Sequence, residues 1–410
     1  MADNVLTLAT LVALLLGLAV GKAWERYKLQ DGRWVDRRKH RASPHYLQGL
    51  NFLVANPLDP AIEEFARAAA LDDRALDVQI ILGNLYREKG QVGRAIQVHQ
   101  QLLQRPRLAK HEHASVLLCL GLDFKGAGFV DRAIEAFGEV LRLDADNPHA
   151  LVNLEKLHED QQQWREAFRV RERLAAGAPA EQLGRHRAIL AFLQNEMGLQ
   201  AMRGGARQDA RLAFESAIEL DPSVVPAHLN LGDLLAAGGD LAGAAAVWER
   251  AVDAAPERAY LAFDRLRAVY GQLGAPDRFP DLCRRLIGST PNDWRARLAL
   301  ARDLDAHGRP GDAIGFLLEA LTANPHAMPV HEAIWRVVSR LRFDAAIVER
   351  YLSVSRDAIF YHDPHVCLKC HYRSTEFLWQ CPHCHEWNSF VEERLTAATE
   401  DGDMRSVGQD

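Results

Sequence analysis

The chain has 410 residues, a formal net charge of −6 and 48% hydrophobic residues. This length exceeds what one small core needs, so we expect several structural parts. The mild negative charge gives no indication of nucleic-acid binding, and we expect no nucleic-acid partner.

The N-terminal segment from Val5 to Gly21 is apolar and is followed by Lys22. Its length at about 1.5 Å per residue is roughly 26 Å, enough for the hydrocarbon core of a bilayer. A cleaved signal peptide is the alternative. However, residues 1–4 contain no Lys or Arg, and no small-residue cleavage motif follows the apolar run. The sequence therefore predicts an uncleaved transmembrane anchor over residues 1–23.

A basic juxtamembrane segment, residues 24–43, is predicted to follow this anchor. Residues 22–41 hold eight basic and three acidic residues, and no basic residue precedes the apolar span. Positive-inside bias then places the N-terminus outside and the rest of the chain in the cytoplasm. The basic segment is expected to contact anionic membrane lipids. Nucleic-acid binding by this segment is the less favoured alternative.

Two consecutive segments in the middle of the chain have nearly the same pattern. Gly198 and Gly232 are each followed by Ala twelve residues later and by an aromatic residue sixteen residues later. A spacing of 34 residues separates the two copies. This pattern resembles the tetratricopeptide repeat, a helix-turn-helix unit. The glycine fits that unit because it lets the two helices approach closely where they cross.

The crossing position of this repeat can be followed along most of the chain. It falls at Gly49, Gly83, Gly121, Glu155, Gly198, Gly232, Arg267 and Ala301. Four of the seven steps are 34 residues, which favours a true repeat; the fourth and seventh repeats lack the glycine. A last helical pair from Pro329 to about Leu352 would cap the array. We therefore predict an all-α fold in which residues 44–352 form a superhelical solenoid of about eight to nine repeats.

Repeat arrays of this kind present an extended concave surface, which suits them to binding other proteins. The first helix of each repeat is predicted to line a partner groove with Asn84, Arg87, Lys125, Asn153, Lys156, Asn195, Asn230, Asp233, Arg295 and Arg302. The alternative for each residue is a solvated position without a partner. The array contains no nucleophile with a base, no phosphate loop and no paired-carboxylate motif, so we expect binding and not catalysis.

Four of the six cysteines form two CxxC pairs near the C-terminus: Cys367 with Cys370, and Cys381 with Cys384. Each pair places two thiolates on one tight turn, and two facing turns make a four-sulfur cage for one metal ion. A redox CxxC site would need only one pair, and a disulfide framework is disfavoured in the cytosol. Iron and zinc both remain open as the metal.

The segment around these cysteines, residues 362–391, resembles rubredoxin. It departs from that pattern at His371 and His385, where rubredoxin-type turns carry glycine after the second cysteine. A non-glycine residue there is strained if its φ is positive, which weakens the case for electron transfer more than the case for metal binding. Residues 392–410 are expected to be a disordered tail.

The order of anchor, basic segment, repeat array and four-cysteine domain resembles the lipopolysaccharide assembly protein B family. That resemblance implies a single-pass regulatory adaptor of the bacterial inner membrane, with its N-terminus in the periplasm. It also implies partners: a membrane-bound AAA+ protease, the lipid A deacetylase that the protease degrades, and other lipopolysaccharide assembly proteins. The residues it carries over are the four cysteines. A scaffold for another envelope complex and a rubredoxin-like electron carrier remain alternatives.

Overall fold

The structure is a computed structural model that describes residues 43–55, 57–72, 75–340, 345–355 and 365–393. The predicted anchor, almost all of the basic segment, and the tail from residue 394 lie outside the described residues. Among the helices that are described, none combines the length and the apolar character that a membrane crossing requires.

Consecutive α-helices account for most of the described chain up to residue 355. They are α1 (Pro44–Ala55), α2 (Leu58–Leu71), α3 (Leu76–Glu88), α4 (Val92–Leu103), α5 (Lys110–Gly126), α6 (Val130–Leu143), α7 (Pro148–Asp160), α8 (Trp164–Ala176), α9 (Leu183–Arg203), α10 (Arg207–Leu220), α11 (Val225–Ala237), α12 (Leu241–Ala254), α13 (Phe263–Gln272), α14 (Arg278–Ser289), α15 (Trp294–Ala306), α16 (Pro310–Ala323), α17 (Met328–Val338) and α18 (Ala345–Val354). Short 3-10 segments at Ala180–Gln182 and Pro256–Ala262 precede α9 and α13. Odd-numbered helices are the first helices of the repeats and even-numbered helices are the second. The mostly helical repeat fold is therefore confirmed.

The chain divides into two compact units, residues 1–161 and 162–410. The division falls between α7 and α8, the helices of the fourth predicted repeat. That repeat carries Glu155 where most others carry the crossing glycine.

From the second to the eighth repeat, a residue with positive φ ends the first helix seven residues after the crossing position. These turn residues are Gly90, Gly128, Gln162, Gly205, Gly239, Gly274 and Gly308, with φ between 54° and 87°. Their spacing equals that of the crossing positions from Gly83 to Ala301, including the repeats without a crossing glycine. The phase of the repeat that the sequence predicts is therefore confirmed through the backbone. Gln162 adopts this left-handed conformation without the freedom of glycine.

The crossing glycines lie against a large side chain of the second helix, sixteen residues later. A Cβ added at Gly121 would come within 2.6 Å of the ring of Phe137, and one at Gly198 within 2.5 Å of Phe214. Neither aromatic ring is exposed at all. Because packed interiors leave no room for the extra atom, the glycine sets how closely the two helices approach.

The C-terminal part of the described chain, residues 365–393, is a small β-structure that we call the knuckle domain. Its strands are β1 (His365–Cys367), β2 (Arg373–Ser374) and β3 (Phe390–Glu392). They form an antiparallel sheet in the order β2-β1-β3. The sheet positions the cysteines, since Cys367 is the last residue of the central strand.

Candidate metal centre

The four predicted cysteines come together in the knuckle domain. Their sulfur atoms all lie within 4.8 Å of one another. The Sγ atoms of Cys367 and Cys384 are 3.6 Å apart, as are those of Cys370 and Cys381. Four thiolates placed tetrahedrally at about 2.3 Å from a zinc ion would be about 3.8 Å apart. The residues present therefore fit one tetrahedral metal ion.

The two cysteine turns have the same backbone geometry. The amide N–H groups of His371 and His385 each donate to the carbonyl of the first cysteine of their pair, at 2.9 Å in both turns. Their φ angles are 58° and 57°. The strained conformation that we considered for a non-glycine residue is thus adopted in both turns. Strain of this kind costs of order 1–3 kcal/mol per residue and persists only where the surroundings hold it in place.

The thiols differ in how easily they ionise. Burial acts to raise the pKa of Cys367, but hydrogen bonds from Ser389 and from the amides of Cys370 and Lys369 lower it to about 6. Burial raises the pKa of Cys384 to about 12, and its sulfur neighbours act in the same direction. Four adjacent thiolates therefore need a cation to be stable together, as a metal site requires.

Aromatic contacts attach the knuckle domain to the repeat array of unit 2. The indole of Trp387 stacks on Phe192 of α9, with ring centroids 5.3 Å apart and an interplanar angle of 19°. Trp379 lies 6.1 Å from the same ring. Both tryptophans pack into the core that α9 shares with neighbouring helices. Two aromatic side chains of the knuckle domain therefore join the hydrophobic core of unit 2, while the cysteines lie in a separate buried cluster with Phe390.

Three arginines of the array surround this aromatic contact. Arg185 of α9 donates to both carboxylate oxygens of Glu386, at 2.8 Å each. Arg258 bonds Asn388, and its guanidinium lies 5.5 Å from the centre of the Trp379 ring.

The third arginine, Arg295 of α15, pairs with Glu392 of β3 and lies over the ring of Tyr260 at 4.4 Å. Burial acts to lower the pKa of Arg295, but the charge and hydrogen bond of Glu392, together with the charges of Tyr260 and Asp293, outweigh this effect and raise the pKa. Together the three contacts place the knuckle domain against α9 of the fifth repeat, the 3-10 segment before α13, and α15 of the eighth repeat.

The predicted groove residues differ widely in exposure. Arg302 is exposed, Asn195 is 2% exposed, and the other residues are partly exposed: Asn84, Arg87, Lys125, Asn153, Lys156, Asn230, Asp233 and Arg295. The exposure that the helical pattern predicts for Asn195 is wrong, because α11 packs beside α9 and the side chain of Asn230 donates to it at 2.8 Å.

Several of these residues connect neighbouring first helices. In unit 1, Arg87 of α3 binds Asp123 of α5 at 2.8 Å, and Lys125 of α5 donates to Asn153 of α7 at 3.1 Å. Burial lowers the pKa of Lys125, and the charge of Lys156 lowers it further. These contacts give the residues a role in joining repeats.

Unit 2 has the same kind of connection. Asp233 of α11 binds Arg265 of α13 through both carboxylate oxygens, at 2.7 and 2.9 Å. Arg340, after α17, binds Asp305 of α15 at 3.0 Å.

The sequence did not predict the contacts of Arg185 and Arg258 with the knuckle domain. A single arginine in a helical pattern gives no indication of a partner more than 100 residues away in the sequence.

Comparison with known families agrees with both parts of the chain. Residues 365–392 match the family described as "Rubredoxin metal binding domain". Tetratricopeptide repeat families match residues 80–110, 195–259 and 231–293.

Relatives match over most of the chain. "Lipopolysaccharide assembly protein B" of Escherichia coli (strain K12) is 25% identical over 384 residues, covering 92% of this chain and 97% of the relative. The protein of the same name from Haemophilus influenzae is 25% identical over 392 residues, with the same two coverages. A tetratricopeptide repeat protein from Parabacteroides merdae, a solved structure, is 13% identical with a TM-score of 0.34, covering 72% of this chain and 97% of that one. The resemblance to the lipopolysaccharide assembly protein B family that the sequence predicts is thereby confirmed over nearly the whole chain.

Proposed function

We propose that this protein is a regulatory adaptor in lipopolysaccharide assembly that acts by binding other proteins. The single observation that carries the proposal is the match to lipopolysaccharide assembly protein B over 92% of the chain. The tetratricopeptide repeats support it, since such arrays offer long surfaces for protein partners. Binding of this kind needs no catalytic residue.

We propose further that the adaptor brings the lipid A deacetylase to a membrane-bound AAA+ protease, so that deacetylase turnover sets lipopolysaccharide output. In this proposal residues 1–23 anchor the chain in the bacterial inner membrane with the N-terminus in the periplasm. Residues 24–43 contact membrane lipids, residues 44–352 hold the client, and other assembly proteins bind in the cytoplasm. An anchor raises the effective concentration of the client at the protease without a new contact.

The four-cysteine site has a structural role in this proposal. Cys367, Cys370, Cys381 and Cys384 would hold one zinc or iron ion, whose chemistry is to keep four thiolates together at fixed geometry. The contacts of Trp387 and Glu392 with the array support this role, because they depend on the shape of a domain too small to fold on its own core.

Turnover of the deacetylase tests the adaptor role. Depletion of the protein should lengthen the half-life of the deacetylase and raise lipopolysaccharide, and deletion of residues 1–23 should do the same. An unchanged half-life after depletion would favour a scaffold for another envelope complex.

Client capture can be tested with a matched pair of variants. Arg302→Glu, at the exposed position of the predicted groove, should weaken co-purification of the deacetylase without altering the helical circular dichroism. Arg250→Glu, which changes an exposed arginine on the second helix α12, should leave capture unchanged. An equal loss of co-purified deacetylase in both variants would contradict the assignment of Arg302 to the groove.

A further inference from the structure

The carboxylate of Glu386 lies at the junction of three parts of the molecule. It accepts from Lys369 at 2.6 Å, a residue between the two cysteines of the first pair. It also accepts from Arg185 of α9 at 2.8 Å. Glu386 itself follows Cys384 by two residues. One side chain thus connects both cysteine turns to the repeat array.

The backbone of Glu386 reinforces this connection. Its carbonyl accepts from the amide of Cys381 at 2.9 Å and from the hydroxyl of Ser389 at 3.3 Å. The same hydroxyl lies 3.2 Å from the sulfur of Cys367. A displacement of Glu386 would therefore be transmitted to a cysteine of each pair.

The array holds this part of the knuckle domain at two points on one helix. Arg185 and Phe192 are seven residues apart on α9, about two turns, so they share a face. They contact the consecutive residues Glu386 and Trp387. The side chain of Glu386 is 19% exposed, so its ion pairs are partly shielded from water.

We propose that Arg185 is a positioning residue for the metal. Through Glu386 and Lys369 it holds the two cysteine turns in a fixed position relative to each other. The repeat array thereby slows the release of the metal. Metal binding and the contact of the knuckle domain with α9 are coupled in both directions, because contacts that stabilise the metal-bound domain are themselves stabilised when the metal binds. The metal therefore also holds the knuckle domain on α9. This inference concerns metal retention and does not depend on which partner the protein binds.

The rate of metal release tests the proposal directly. The purified full chain is loaded with Zn²⁺ and mixed with an excess of the chromogenic chelator 4-(2-pyridylazo)resorcinol. Arg185→Ala should release zinc about tenfold faster, the lower end of the effect of losing a group that orients metal ligands. Arg185→Lys, which keeps the charge, should restore part of the difference. Arg187→Ala, an exposed arginine on the same helix, should release zinc at the wild-type rate.

A double variant tests the route through the carboxylate. Glu386→Gln alone should accelerate release, and adding Arg185→Ala should accelerate it little further, since both changes break one connection. Because the side chain of Arg185 is 64% exposed, the helical unfolding transition should remain in place. The proposal would be overturned if Arg185→Ala released zinc at the wild-type rate, or if Arg187→Ala accelerated zinc release as much as Arg185→Ala does. It would also be overturned if the effects of Glu386→Gln and Arg185→Ala on the release rate were fully additive in the double variant.

Discussion

Gly232 of α11 lies directly against the indole ring of Trp248 in α12, and a Cβ at this glycine would clash with that ring. The indole N–H donates to the carbonyl of Leu229 at 3.2 Å, which fixes the ring in place. Gly232→Ala should therefore force the ring or the helix to move, at a cost of about 1–3 kcal/mol in the free energy of unfolding. Denaturant unfolding followed by circular dichroism measures this change.

Gly315 in α16 provides the control for that substitution. Nothing lies within 4 Å of a Cβ added at Gly315, and the residue is inside a helix. Gly315→Ala should stabilise the protein by about 0.4–1 kcal/mol, because it reduces the freedom of the unfolded chain. Equal effects of the two substitutions would show that the aromatic contact does not limit helix approach.

Two ion pairs between first helices should differ greatly in their contribution to stability. Asp123 is not exposed at all and binds both Arg87 and His99. Asp123→Ala would leave these partners without their buried carboxylate and should lower the free energy of unfolding by about 3–5 kcal/mol.

The pair of Asp233 with Arg265 is the exposed counterpart, with side chains 44% and 38% exposed. Asp233→Ala should cost no more than about 1 kcal/mol, since water screens such pairs. The same unfolding measurement serves both variants. Similar losses in the two would contradict burial as the deciding factor.

Removing the metal should release the knuckle domain and leave the helices folded. The double change Cys367→Ser and Cys370→Ser removes half of the ligands, and elemental analysis should then find no bound metal. Hydrogen exchange should rise in residues 379–390, where Trp379 and Trp387 meet the array, because the domain depends on the metal for its shape. Cys119→Ser, outside the cluster, should retain both the metal and the protection.

Acid should destabilise the protein partly through His228. Burial lowers the pKa of this side chain, although its hydrogen bond with the carbonyl of Pro222 at 2.9 Å acts against the shift. Below the ordinary pKa of about 6.5, the unfolded chain binds a proton at this residue more readily than the folded chain. The free energy of unfolding should therefore fall as the pH decreases below about 6.5, by at most about 1.4 kcal/mol per pH unit for one histidine.

The variant His228→Gln isolates this contribution. Its amide N–H can still donate to Pro222, but it does not titrate. The loss of stability between pH 7.5 and pH 5.5 should be smaller in the variant than in the wild type. If the variant and the wild type lost the same free energy of unfolding over this pH range, groups other than His228 would cause the acid sensitivity.

The repeat phase could be predicted from the sequence because one packing arrangement recurs. Each crossing glycine meets a large side chain at the same offset, so the same residue types return at the same interval. This held even at Arg267, where the glycine is missing but the turn at Gly274 keeps the phase. The clustering of the four cysteines was predictable for a similar reason, since the two cysteines of each pair are only three residues apart in the sequence.

The docking of the knuckle domain could not be predicted in this way. Arg258 and Asn388 are 130 residues apart, and Arg185 and Glu386 are 201 apart, so no local pattern links them. The predicted exposure of Asn195 was wrong for a related reason, because its burial depends on the neighbouring helix α11 and not on its own helical face. Contacts between distant segments follow from tertiary packing, which residue periodicity does not encode.

The distance along the chain between Arg185 and Glu386 also sets an order of events during synthesis. At 5–20 residues per second, the ribosome needs about 10–40 s to add the residues that separate them. After Arg203 has been added, which leaves most of that interval, all residues of α9 are present, but Trp387 is not yet there to cover Phe192. A nascent chain that stops in this interval would present an uncovered aromatic ring to the cytosol, where chaperones and proteases recognise unfinished proteins.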